Sequence, residues 1–351
     1  MKKTKQIKRK LSLLFITAIL TLCAGFLLVG CGTDPVLKVK DVNKGAYAVD
    51  FNDCPDGVKC YASFESTADT IIDVSDKELT FEAMVKKNTA ATVNGTIFSR
   101  LDTATGAALY VKDNEPKFAM RVMFGTVGTL PTPTASYIVG AGSASNLVQN
   151  EWTHIAGVIA NTAHTHTTGS TCSATIMAET PHLDIYVDGK FKDCNTTWGA
   201  SGDTATGPQF ADNPGSNKAF IGKIEDNSTS GTCIGTLGED TTCNYIGNTT
   251  PYIEQRTKLN AVIDELRLWT TARTASQILE CYNRELGLGG TCNRGDSNLA
   301  VYFRMNEGTG SLATDWSGNG YLASFFYLSG TDELSWENTF WVAGNGVTGA
   351  D

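Results

Sequence analysis

Short apolar–polar alternations, separated by glycine-, threonine-, serine- and asparagine-rich stretches, run through this chain from about Tyr47 onward. They restrict it to one class of architecture. Leu183-Asp184-Ile185-Tyr186-Val187 alternates with period two and ends in the turn pair Asp188-Gly189. A half-buried strand entering a hairpin has this pattern. The same reading predicts strands over 61–64, 70–74, 79–86, 96–100, 107–111, 118–122, 153–160, 183–187, 219–221, 262–269 and 300–305. Many short strands with frequent turn residues fold as an all-β sandwich or barrel.

One helix interrupts the pattern. Thr274-Ala275-Ser276-Gln277 fits a capping box, in which the threonine hydroxyl accepts a free amide and Gln277 reaches back. Ile278, Leu279, Tyr282 and Leu286 then fall at helical spacing as a buried face, and Gly287, Gly289 and Gly290 stop the helix. Three stretches near 124–149, 161–181 and 224–256 lack strong periodicity and exceed ordinary hairpin loops. They read as insertions on a single core.

The first residues carry a different message. Lys2, Lys3, Lys5, Lys8, Arg9 and Lys10 precede an apolar run that ends in Leu28-Val29-Gly30-Cys31. A basic start, an apolar middle and small residues before a cut describe a secretory signal peptide. The ending resembles the bacterial lipobox, which implies acylation of the Cys31 thiol and cleavage before it. The alternative is an uncleaved anchor over residues 11–30, just long enough to span a bilayer. The expected organisation is a signal peptide over 1–30, a tether over 31–46 and one domain over 47–351. Gly32 lacks the aspartate that retains many lipoproteins at the inner membrane, which favours the outer membrane of a two-membrane cell.

The whole chain has a formal charge of −9, and the six basic residues within 1–30 leave −15 for the remainder. Such a chain is a poor partner for nucleic acid, whose phosphates demand lysine and arginine. It also gains little from anionic headgroups, so acyl chains must supply the membrane affinity. Excess carboxylates suit Ca²⁺, a hard cation that prefers oxygen, although a solubilised surface explains the charge equally well.

Of the ten cysteines, Cys23 leaves with the signal and Cys31 takes the lipid. Cys54, Cys60, Cys172, Cys194, Cys233, Cys243, Cys281 and Cys292 remain, an even number in an oxidising compartment. Spacing favours neighbours, 54–60, 172–194, 233–243 and 281–292, although sequence leaves the connectivity open. A 281–292 bond pins the exit of the predicted helix. The absence of Cys-x-x-Cys removes thioredoxin-like, zinc-ribbon and haem c chemistry.

The ordered pieces together resemble a family, the laminin G-like, concanavalin A-like jelly-roll domains of bacterial surface proteins. They are Ala62-Ser63-Phe64-Glu65, the run from Leu79 to Lys86, Ile97-Phe98-Ser99-Arg100 and Glu151-Trp152-Thr153-His154-Ile155-Ala156. Phe220-Ile221-Gly222 follows, then Ala261-Val262-Ile263-Asp264-Glu265-Leu266-Arg267-Leu268-Trp269 with Ala272-Arg273-Thr274. Last come the run from Leu299 to Gly308 and Asp315-Trp316-Ser317-Gly318-Asn319-Gly320. The final pieces often open such domains and here close the chain. The resemblance implies a concanavalin A-like sandwich of two antiparallel sheets with one short helix and long loop insertions. Chain termini on neighbouring strands fit that fold.

The resemblance also implies functions to weigh. Some relatives are glycoside hydrolases, which need two carboxylates flanking a sugar bond. The Glu-x-Asp-x-x-Glu string of the glucanase relatives is absent, and a regular strand sets Asp264 and Glu265 on opposite faces. Glu265 is expected instead to pair with Arg267 or Arg273. A structural Ca²⁺ is implied by resemblance at Asp315 and Asn319, with Asp264 behind them, against a plain turn in which both residues bond their own backbone. Trp198 in a polar stretch and Trp316 are the candidate sugar platforms, whereas Trp152, Trp269, Trp336 and Trp341 read as core. His164, His166 and His182 read as solvated loop histidines rather than metal ligands with Cys172. The expectation is an envelope-anchored, non-catalytic lipoprotein that binds a glycan or an extracellular protein partner. A glycoside hydrolase and a purely structural envelope protein are the alternatives.

Overall fold

In β3 (Leu79–Lys86) the alternation becomes two surfaces. Leu79, Phe81, Ala83 and Val85 enter the apolar interior, while Glu82 turns its carboxylate to the opposite face. The computed structural model describes residues 47–54, 59–65, 78–101, 106–123, 134–160, 182–195, 218–223, 259–287, 289–329, 332–336 and 340–344. Residues 1–46, including Cys31, the predicted strand 70–74 and the stretch 161–181 lie outside them, as do residues 224–258 and Trp198.

Among the described residues one sheet has eight strands. Its order is β10 (Lys190–Asn195), β9 (His182–Val187), β8 (Trp152–Ala160), β3, β12 (Val262–Trp269), β1 (Tyr47–Asp50) and β17 (Trp341–Ala343). The eighth, β13 (Leu299–Phe303), pairs with the second half of β12. The other sheet has nine strands. It runs β14 (Leu312–Thr314), β15 (Leu322–Ser329), β2 (Lys59–Glu65), β11 (Lys218–Ile221), β4 (Gly95–Leu101), β5 (Gly106–Lys112), β6 (Glu115–Met123) and β7 (Thr134–Gly140). Its ninth strand, β16 (Asp332–Ser335), pairs with β15. The named strands pair antiparallel throughout, and β1 lies beside β17, so first and last strands are neighbours. The expected all-β sandwich of two antiparallel sheets is therefore the fold found.

Aromatic rings join the sheets. Phe81 lies 5.1 Å from Phe98 and 5.5 Å from Phe118, and Phe64 lies 5.1 Å from Phe303, centroid to centroid. Gly157 on β8 permits this approach, because a Cβ there would stand 2.3 Å from the Phe118 ring. At the β1–β17 side Phe340 stacks 4.4 Å from Trp336 and 4.7 Å from Phe325.

Two expectations need correction. The stretch near 124–149 is not one loop, since β7 occupies Thr134–Gly140 and pairs along β6. Its Tyr137-Ile138-Val139 is a strand-forming run that the surrounding polar residues obscure. The helix, α1 (Ala275–Cys281), has the expected capping box but ends before Tyr282, and Leu279 is 50% exposed. Ile278 and Cys281 form its buried face. It stops early because Arg267 donates to the carbonyls of Cys281 and Arg284, which a longer helix would use internally.

Register divides the sandwich into two ends. The pairs Leu79↔Ile159, Ala160↔His182 and Asn195↔Leu183 lie at one end of the first sheet. Lys218↔Glu65, Leu101↔Gly106 and Met123↔Thr134 lie at one end of the second. The connections 66–77 and 196–217 join these strand ends across the two sheets, so both sets share one end of the sandwich. Connections 66–77, 102–105, 124–133, 161–181 and 196–217 all leave from it. The opposite end carries the two-residue turns Asp113-Asn114 (φ 53° and 69°) and Asp188-Gly189 (φ 50° and 72°), together with the connections 87–94 and 141–151 and the one from β11 to β12. Positive φ at both central residues is what a tight hairpin needs.

Candidate functional site

The outer face of the eight-stranded sheet is covered by α1 and the segment that follows it. Thr80 Oγ1 accepts the Arg273 amide at 2.9 Å and donates to the Thr271 carbonyl at 2.8 Å, which fixes the chain as it leaves β12. The Cys281–Cys292 disulfide then closes the covering segment, and Cys54–Cys60 ties β2 to the chain after β1. Both are expected pairings. Cys194 is also disulfide-bonded, while Cys172, Cys233 and Cys243 lie outside the described residues.

Beneath this cover lies a buried charge network. Glu82 Oε1 is 3.0 Å from Arg273 Nη1, and its Oε2 is 3.3 Å from Arg267 Nη1 and 3.4 Å from His154 Nε2. Arg267 Nη2 donates to Glu265 Oε2 at 2.9 Å, and the Tyr302 hydroxyl donates to the same oxygen at 2.6 Å. Arg273 also donates to Cys281 Sγ and to the carbonyls of Gln277 and Thr291, and its guanidinium lies 4.1 Å from the Trp269 ring. Burial pushes the Glu82 carboxyl up, but Arg273, the His154 contact and Arg267 outweigh it and hold it well below the usual carboxylate range. Burial likewise pushes Glu265 up against the pull of Arg267, and burial together with Glu265 raises Tyr302.

Sequence reasoning anticipated the Glu265–Arg267 pair but not the irregular strand that carries it. A bulge between Asp264 and Arg267 gives Glu265 a φ of 52° and brings its carboxylate onto the outer face with Arg267. Asp264 Oδ1 accepts the Glu265 amide at 2.9 Å, so Asp264 closes the bulge. Glu82, the hub of the network, went unnoticed because a lone carboxylate in an alternating strand looks solvent-facing. The folded sheet sets it directly opposite Arg267 across the β3–β12 ladder.

Asp315 Oδ1 accepts the amides of Tyr302 and Ser317, each at 2.9 Å, and Oδ2 accepts the Ser317 hydroxyl at 2.7 Å and the Tyr321 amide at 3.4 Å. Asn319 Nδ2 donates to the carbonyls of Leu299 and Ala300. This donor set does not fit a cation, because Asp315 faces N–H and O–H groups and Asn319 presents its NH₂. No group of three or more His, Cys, Asp or Glu at metal-holding distance occurs among the described residues. The turn pins the start of β13, where Leu299 opposes Trp269, at the same end as the five connections.

Trp316 is partly buried on that turn, with the guanidinium groups of Arg304 and Arg294 at 4.7 and 5.4 Å from its ring. Of the other tryptophans, Trp269 and Trp336 are buried as expected, whereas Trp152 stays partly exposed with Lys86 Nζ 5.7 Å from its ring. His182 is not a solvated loop residue. It begins β9, fully buried, with Nε2 3.6 Å from Asp184 Oδ2. His164 and His166 lie outside the described residues.

A scan against protein-family models matches none, and a search of curated proteins gives no match. Solved structures give low-identity likenesses. One, from Bacteroides ovatus and provisionally named a carbohydrate binding protein, is 15% identical, with 83% of this chain and 62% of that chain covered and a TM-score of 0.42. This chain thus spans less than two thirds of that one. Domain 4 of a GH43 extracellular arabinanase from Geobacillus stearothermophilus, solved with arabinotriose, is 16% identical, with coverages of 60% and 68% and a TM-score of 0.31. Mouse laminin α1 domains LG4-5 are 12% identical, with coverages of 67% and 46% and a TM-score of 0.34. With every TM-score below 0.5, these likenesses carry no functional argument.

Proposed function

We propose that this chain is a lipid-anchored, non-catalytic recognition module that binds a glycan or protein partner at the cell envelope. The observation that carries the reading is the antiparallel two-sheet scaffold, which gathers the ends of strands distant in sequence at one rim of the sandwich. Five connections, 66–77, 102–105, 124–133, 161–181 and 196–217, leave from one end. A rigid sheet scaffold that displays variable segments at one rim is how loop-borne recognition is built. In the sequence Trp198 follows the end of β10 by three residues.

The carboxylates favour binding over hydrolysis. Glu82 and Glu265 are buried and committed to Arg273 and Arg267, and a glycosidase acid pair must face a sugar across open space. Leu28-Val29-Gly30-Cys31 supports the anchor, and outer-membrane placement follows from Gly32 in the same proposal.

A glycan array probed with the full chain tests the reading, with a chelator arm for calcium. We expect binding to defined glycans that is indifferent to chelator, given the saturated Asp315 carboxylate, and at least tenfold weaker in Trp198→Ala. Reducing-sugar release from polysaccharides would overturn the non-catalytic reading. Absence of any glycan or protein ligand would leave the structural alternative. Palmitate labelling that persists in Cys31→Ala would remove the anchor.

A further inference from the structure

The arginines on and around the covering segment differ in what their guanidinium groups meet. Arg267 and Arg273 are buried against carboxylates, and Arg304 Nη2 lies 2.8 Å from Glu285 Oε1. Arg294 is partly exposed, stands over the Trp316 ring at 5.4 Å, and has no carboxylate or carbonyl accepting its side-chain N–H groups among the described residues. A guanidinium carries five N–H donors in a fixed fork that matches a carboxylate.

Both partners are held in place before any ligand arrives. Cys292, two residues before Arg294, is bonded to Cys281. The Gly287 amide donates to the Cys292 carbonyl, and the Arg294 amide donates to the Gly287 carbonyl, each at 2.9 Å. Asn293 Oδ1 accepts the amides of Gly289 at 3.1 Å and Gly295 at 2.9 Å. On the other side the Trp316 amide donates to the Tyr302 carbonyl at 2.8 Å, and Arg304 packs on the indole. Stacking on an indole fixes a guanidinium without using its donors, and such preorganisation lowers the entropy cost of binding.

We propose that Arg294, held on Trp316, receives the carboxylate of an acidic sugar in the glycan this module binds. The proposal rests on the recognition reading above and names its ligand class. The site lies beside Asn298 and the exposed Gly318-Asn319-Gly320 turn, at the end of the sandwich with the five connections. Amide and backbone groups of this kind suit sugar hydroxyls. The nearby Asp296 carboxylate already accepts the Asn298 backbone and side-chain N–H groups at 2.9 and 3.1 Å. A peptide would want a buried apolar anchor, whereas the groups on this turn and beside Arg294 are the polar side chains of Asn298 and Asn319 and exposed glycine backbone.

Calorimetric titration of the full chain with tetragalacturonate, its methyl ester, 3′-sialyllactose and hexaglutamate tests this. We expect at least one of the two acidic sugars to bind. If tetragalacturonate is the ligand, its ester should bind at least tenfold more weakly. Arg294→Gln should lose at least tenfold toward the acid, and Arg294→Lys should recover only part. Arg284→Gln, on the same segment and also partly exposed, should bind as wild type. Unchanged binding by Arg294→Gln, equal binding of acid and ester, or tighter binding of hexaglutamate would overturn the proposal. If neither acidic sugar binds while neutral glycans do on the array, the acidic class fails and the recognition reading stands.

Discussion

The two faces of the eight-stranded sheet are built from the same strands by opposite means. On the inner face Phe81, Ala83, Val85, Ile263, Leu266 and Leu268 meet the other sheet in an apolar interior. On the outer face Thr80, Glu82, Arg267 and Trp269 meet α1 and the disulfide-closed segment through ion pairs and hydrogen bonds. Both faces are buried. Apolar burial stabilises wherever shapes fit and is non-directional. A buried ion network stabilises little in net terms but strongly punishes a missing partner. The inner face therefore supplies stability, while the outer face fixes where the covering segment docks.

The largest effect should come from breaking the network. Glu82→Gln leaves Arg273 and Arg267 without their shared buried partner and should cost ~3–5 kcal/mol, comparable with about 3–5 kcal/mol for Phe81→Ala on the inner face. Denaturant melts at pH 7 read both. The pH dependence separates them. The Glu82 carboxyl is lowered in the fold from its ordinary 4.5, so the unfolded chain binds more protons, and the stability it supplies is present above 4.5 and lost as pH falls below it. Glu265, pushed up by burial, acts with the opposite sign and offsets part of this. The gap between wild type and Glu82→Gln should therefore narrow between pH 7 and pH 3, while the gap to Phe81→Ala should not. Parallel pH profiles would remove the distinction between the faces. Replacing Glu82, Glu265, Arg267 and Arg273 together by leucine or methionine should recover most of the loss, because the paired carboxylates and guanidinium groups are then removed as a set.

Next in size is the staple on the cover. Cys281→Ser with Cys292→Ser should cost about 2–3 kcal/mol for a bridge with a sequence separation of 11. Because the bridge closes only the covering segment, amide exchange should rise first in 275–295 while β3 and β12 stay protected. Simultaneous loss of protection on both faces would show that the cover and the sheet unfold as one unit.

The inner face was legible in the sequence and the outer face largely was not, for a physical reason. Period-two alternation reports apolar contact, so the spans 79–86 and 262–269 were read correctly to the residue. The capping box and the 281–292 pairing were equally readable, because caps and short loops are local. A bulge that turns Glu265 into positive φ has no sequence mark, since glutamate has no preference for that region. Pairing of Glu82 with Arg273 spans 191 residues, and only the folded sheet brings them together. The candidate turn at Asp315 was found by its residues, but its chemistry was decided by donors from Tyr302 and Tyr321. Those donors are backbone amides, which carry no signature in the side-chain sequence.

The smallest effect concerns where the cover starts. Thr274 Oγ1 accepts the Gln277 amide at 3.3 Å, and the Gln277 side chain accepts the Thr274 amide at 2.8 Å. Thr274→Ala removes the hydroxyl that satisfies an otherwise unpaired helix amide, which should cost ~1 kcal/mol. Thr274→Ser and Thr274→Asp keep an acceptor and should stay close to wild type. The helix has only seven residues and cannot stand alone, so it is held mainly by Ile278 and Cys281 packing and by Arg267 and Arg273 donating to its carbonyls. The cap should therefore matter less once the network is gone. In a double-mutant cycle the penalty of Thr274→Ala should shrink in the Glu82→Gln background, because Arg273, freed from Glu82, no longer fixes the first turn. Strict additivity would mean that the cap and the network act on the cover independently, and that the outer face docks by two separate devices rather than one.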